Sequence, residues 1–83
     1  MNKNGKEASV ETLTGVITPV KWEDDRVSEV ALFATDDEAY HIENGEKFLD
    51  MMQQYIEAIG RVHRSKKTFR SINIKKFKVL ETF

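Results

Sequence analysis

Clusters of polar, turn-forming residues recur along this chain and leave only short stretches between them. Glu23-Asp24-Asp25-Arg26, Asp36-Asp37-Glu38, Asn44-Gly45 and Ser65-Lys66-Lys67-Thr68 cut the sequence into pieces of strand length. No apolar run approaches the ~18 residues that a membrane-spanning helix needs. With 83 residues there is room for one small domain.

The pieces read as follows. Residues 13–22 are rich in β-branched side chains (Thr14, Val16, Ile17, Thr18, Val20) and predict a strand. Gly15 within it suggests a bulge or a sharp bend, and Pro19 places that part of the strand at an edge or kink. Residues 27–35 follow, with Val30, Leu32 and Ala34 alternating toward a core. Residues 39–43 give a third short strand with Tyr40 and Ile42 on one face. Asn44 is placed to cap a helix over residues 45–53, with Glu46 in its first turn and Phe48, Leu49 and Met52 on an apolar face. In the fourth strand Ile56, Ala58, Gly60 and Val62 point one way, and small inward residues suit a crowded interior. Residues 69–80 form the fifth. Ile72 and Ile74 are in phase, but Phe77 and Val79 are one step out, which predicts a bulge near Lys75-Lys76. Met51 and Met52 read as gap-filling core residues.

The order β-β-β-α-β-β is that of a five-stranded Greek-key barrel. The chain resembles the small bacterial OB-fold domains in Thr14-Gly15-Val16-Ile17, the Phe48-Leu49 helix after the third strand, Ala58-Ile59-Gly60-Arg61-Val62, and the closing Lys78-Val79-Leu80-Glu81. The expected class is all-β with one short helix. An SH3-like barrel fits less well, because such barrels do not usually place a helix before the fourth strand. Residues 1–10 are expected to be a flexible N-terminal segment, because nothing apolar ties them down, and residues 11–83 to form the single domain. The resemblance implies binding through the face of the second and third strands and through the loops after strands one and four.

Composition narrows the chemistry. There is no cysteine, which excludes disulfides, thiolate nucleophiles and cysteine-based metal centres. No Gly-x-Ser-x-Gly context, Gly-rich phosphate loop or Ca²⁺-loop pattern occurs, and His41 and His63 lack a recognised ligand spacing. The expectation is a cytoplasmic, non-enzymatic protein with no cofactor, no metal and no membrane association.

The net charge of −1 conceals an uneven distribution. Residues 1–59 hold five basic and thirteen acidic side chains, whereas residues 60–83 hold eight basic ones and a single acid, Glu81. Such a split suits a charged partner, a second copy, or mutual neutralisation within the fold. Alternation points Phe33 and His41 outward side by side, and also Arg61, His63 and Lys75 on the last two strands. Phe33 has three readings: a stacking platform, an interface residue or core. Trp22, beside the acidic turn, is placed to cover the barrel end or to touch a ligand. Lys66 and Lys67 either pair with Asp24 and Asp25 or stand ready for a partner. Trp22, Phe33, His41, Arg61, His63, Lys66, Lys67 and Lys75 are therefore the candidate partner-binding residues. The expected function is protein interaction or self-association through a charged barrel surface. The alternative is weak single-stranded nucleic-acid binding, with bases stacked on Phe33 and phosphates near Lys66 and Lys67.

Overall fold

Strand propensity, short turns and one long coiled strand produce a closed ring. The computed structural model describes residues 8–64 and 70–82. The strands are β1 (Ala8–Glu23), β2 (Arg26–Ala34), β3 (Ala39–Ile42), β4 (Gln54–His63) and β5 (Arg70–Thr82), with a single 3₁₀ turn, Gly45–Phe48, between β3 and β4. They bond in the order β1-β2-β3-β5-β4, and β4 returns to β1. Every pairing is antiparallel except β3 with β5.

Closure depends on β1 serving two neighbours. Its residues 8–16 pair with β4 and its residues 15–23 with β2. Gly15 and Val16 sit at the crossing and pair with both. A Cβ on Gly15 would lie 2.3 Å from the Phe33 carbonyl oxygen, so the bend requires the bare backbone of glycine. Gly15 thus supplies a close approach rather than a bulge. The register shifts of β1 come later, on either side of Lys21. Pro19 lies where β1 has lost β4 as a neighbour, and there its missing N–H costs no ladder bond on that side.

The hairpin joining β1 and β2 turns on two residues, Asp24 (φ 52°) and Asp25 (φ 68°). Both occupy the left-handed region that a two-residue primed turn needs and that aspartate tolerates better than most residues. The turn between β2 and β3 uses Asp36, whose Oδ1 accepts the Glu38 N–H at 2.9 Å, and Asp37 at φ 70°.

The interior follows the alternation. Val30, Leu32, Ala34, Tyr40, Ile42, Ile56, Ala58, Val62, Ile72 and Ile74 are buried with Ile17 and Phe48 in one cluster. Burial of each large member contributes about 1.5–3 kcal/mol. Met51 and Met52 pack against this cluster while remaining partly exposed.

Two expectations change. β1 begins at Ala8 rather than near Leu13, and Ala8, Ser9 and Val10 lie opposite His63, Val62 and Arg61 in the pairing with β4. The start of the chain, residues 1–7, and the β4–β5 connection, residues 65–69, lie outside the described residues. The helix expected over residues 45–53 is not formed among the described residues: only the 3₁₀ turn is. Asn44 does not cap it. Its side chain instead donates from Nδ2 to the Ile74 carbonyl at 2.8 Å and accepts the Ile74 N–H on Oδ1 at 3.0 Å. One side-chain amide therefore fills a rung of the β3–β5 ladder. The Gln53 N–H then bonds the Ile17 carbonyl, with Gln53 at φ 71°, which turns the chain into β4 before a second helical turn can form.

Candidate functional site

Two surfaces carry the sequence-predicted residues, and their electrostatics differ. The first is the outer wall of β2 and β3. Phe33 stands opposite Ala39 and Ala31 opposite His41, which puts Phe33 and His41 on one face as diagonal neighbours. Phe33 is 50% exposed, so it is not core. The small side chains of Ala31 and Ala39 leave a cleft of about 340 Å³, completed by Val20, Glu29, His41 and Arg70.

The basic side chains around this cleft already have carboxylate partners. His41 Nε2 lies 3.2 Å from Glu29 Oε1, and Lys21 Nζ lies 3.8 Å from the other oxygen of the same carboxylate. Arg70 Nη1 lies 3.0 Å from Glu38. Glu29 was legible as a face-mate of Ala31 and Phe33 from the alternation. Arg70 was not, because its place depends on the parallel pairing of β5 with β3, where it meets Tyr40.

Trp22 does not join this wall. Beyond the two register shifts it pairs with Val27, and it is 56% exposed, so it does not cover the barrel end. Glu23 and Asp24 border a separate depression with Arg26, Val27, Ser28 and Leu49, rather than the Phe33 cleft. Lys66 and Lys67 lie outside the described residues, and with them the expected pairing to Asp24 and Asp25.

Farther round the ring, β5 links the two histidines. His41 pairs with Ser71, and Ser71 with His63, so all three sit in one row across β3, β5 and β4. Glu43 gathers the polar groups there. It accepts the Ser71 hydroxyl at 2.7 Å and the Asn73 side chain at 3.5 Å, and His63 Nε2 lies 3.8 Å away. Arg61 is exposed opposite Asn73 and Val10, two strands from β3.

The second surface is the far half of β5. Lys75 is the extra residue between the pairs Gly60–Ile74 and Ile59–Lys76. This bulge is where the broken alternation placed it, and it returns Phe77 and Val79 to the inward phase opposite Ala58 and Ile56. Phe77 meets Phe48 edge-on, with ring centroids 5.1 Å apart. The single 3₁₀ turn covers little beyond this contact, and Phe77, Val79 and Leu80 remain 44%, 44% and 42% exposed. Lys75, Lys76 and Lys78 are exposed beside them, and none makes an ion pair among the described residues. Lys78 alone has a carboxylate, Glu57, directly across the ladder.

A third cluster is structural. Arg64 donates through Nη1 and Nη2 to the two oxygens of Glu11, and through Nη2 to the Tyr40 hydroxyl at 3.1 Å. Tyr40 in turn donates to Asp36 at 2.7 Å. Hydrogen bonds from Arg64 and then Ser9 hold the Glu11 carboxyl down at about 2. Burial pushes Asp36 up, but the bonds from Tyr40 and the Glu38 N–H and the charge of Arg64 outweigh it and leave it low. Burial, and then the bond to Asp36, raises the Tyr40 hydroxyl. The network ties β1, the β2–β3 turn, β3 and the end of β4 together.

Among the described residues, no group of three or more His, Asp or Glu side chains is arranged to hold a metal ion. No helix is long and apolar enough to cross a membrane. No protein-family model, curated protein or solved structure matches the chain.

Proposed function

We propose that this chain is a non-enzymatic binding module built on an OB-fold-like barrel, and that it engages a protein partner through the basic and apolar surface of β5. The strand order, with a parallel β3–β5 pair and β1 shared between β2 and β4, supports the barrel reading. One observation carries the functional reading: Lys75, Lys76 and Lys78 stand beside exposed Phe77, Val79 and Leu80 with no ion pair among the described residues. Apolar area flanked by like charge is the composition of a surface that meets an oppositely charged protein.

Single-stranded nucleic acid is the second reading, favoured by the exposed ring of Phe33 on the same wall as His41. The carboxylates of Glu29 and Glu38 on that wall weigh against it, because they occupy Lys21 and Arg70, the cations that phosphates would need.

Fluorescence anisotropy separates the two. Labelled polyglutamate and a labelled short single-stranded oligonucleotide are titrated separately with the protein at low and moderate salt. Salt-sensitive binding of polyglutamate that exceeds that of the oligonucleotide supports the protein-interaction reading. Preference for the oligonucleotide overturns it.

A further inference from the structure

β5 keeps an open edge along part of its length among the described residues. On the side facing β3, its backbone bonds run through Ile72, which accepts the Glu43 N–H, and reach Ile74 through the Asn44 side chain. Beyond Ile74 no backbone partner occupies that side among the described residues. The other incompletely paired stretches are blunted. The late part of β1 carries Pro19 and two register shifts, and β2 there opposes the shifted residues. The β5 stretch has no proline, and its own register shifts, at Lys75 and Leu80, flank four residues from Lys76 to Val79 that pair regularly with β4.

An open edge with regular backbone is a template for an added strand. Its side chains state what that strand must carry. Lys76 and Lys78 face one way, Phe77 and Val79 the other. A second copy of β5 would set lysines against lysines, which is unfavourable. An extended segment with carboxylates at alternate positions and apolar side chains between them would set acids beside Lys76 and Lys78 and cover Phe77 and Val79. We infer that residues 75–80 of β5 accept such an acidic, alternating strand from a partner protein by edge addition. This inference rests on the protein-interaction reading above and specifies the partner's chemistry. The Asn44 amide shows the same edge already satisfied at one rung by a group that imitates a strand.

The test uses the full chain with ¹⁵N-labelled backbone. The probes are synthetic peptides of about six residues, the length of a typical strand. One alternates glutamate and valine, one groups the same residues into a glutamate block and a valine block, and one alternates lysine and valine. Strand addition predicts that the alternating acidic peptide slows amide exchange within residues 75–80. It also predicts roughly fivefold tighter binding than the blocked peptide, the effect of about two matched charge pairs. The double variant Lys76→Glu/Lys78→Glu should lose the acidic peptide and gain the lysine one, with the β1–β3 amide spectrum unchanged to show that the fold persists. Equal binding of both acidic peptides without slowed exchange at 75–80 would overturn edge addition and leave the protein-interaction reading standing. If neither acidic peptide nor polyglutamate binds, both fall.

Discussion

Single residues fix the geometry of this ring where backbones approach closely or where one side chain replaces a strand. A Cβ on Gly60 would meet the Asn73 carbonyl oxygen at 2.1 Å and backbone carbon at 2.9 Å, neither of which can swing away. At Gly45 the nearest atom is a methyl of the buried Val30 at 3.1 Å, which need give by only a few tenths of an ångström. Gly60→Ala should therefore cost about 2–4 kcal/mol in urea denaturation, and Gly45→Ala under about 1 kcal/mol. Asn44 belongs to the same class. Asn44→Ala strips both rung bonds from Ile74 and should cost about 1–3 kcal/mol. Glu11 adds a pH signature. Its carboxyl sits at about 2 in the fold against an ordinary 4.5. A lowered value means that its contribution is complete above pH 4.5 and is lost as pH falls toward about 2. Because Arg64 is 43% exposed, solvent screening limits that contribution to about 1 kcal/mol. Melts of wild type and Glu11→Gln should differ by that amount near neutral pH and converge near pH ~2.

At the scale of elements, the decisive feature is the bulge at Lys75. It absorbs one extra residue and so keeps Phe77 and Val79 opposite Ala58 and Ile56; pairing Lys75 regularly with Ile59 would put Lys76 and Lys78 in those places instead. Deleting Lys75 alone should therefore keep the Phe48–Phe77 ring contact, readable in the aromatic region of the NMR spectrum, whereas deleting Lys75 and Lys76 together reverses the phase and should abolish it at a cost of at least about 2 kcal/mol. Strand positions and inward faces were legible in the sequence because a period of two is a local signal, and Val30-Leu32-Ala34, Ile56-Ala58-Val62 and Ile72-Ile74 obey it. The bulge was legible for the same reason, as a break in that period. The helix was misread because Phe48, Leu49 and Met52 have helical spacing, while competition from Ile74 for the Asn44 side chain and from Ile17 for the Gln53 N–H comes from residues distant in sequence. The pairing of Arg70 with Glu38 and the row His41–Ser71–His63 were hidden likewise, since they exist only once β5 lies parallel to β3.

Over the whole molecule, the two charge populations meet among the described residues through Glu11–Arg64 and Glu38–Arg70, each joining an acid before Gly60 to a basic residue after it. The split is thus partly neutralised within the fold, and of the described basic residues after Gly60 that make no ion pair, Arg61, Lys75, Lys76 and Lys78, three lie on the far half of β5. Exposed pairs of this kind contribute ~0–1 kcal/mol each, so the stability should change little with salt even as binding of acidic ligands weakens. The central claim is therefore spatial: among the described residues after Gly60, the lysines that make no ion pair lie on β5, away from the Phe33 wall. Mapping backbone amide shifts on addition of polyglutamate tests it most directly. The largest shifts should fall within residues 75–80 and disappear in Lys76→Glu/Lys78→Glu. Shifts centred on Phe33, His41 and Arg70, and unaffected by that variant, would contradict it.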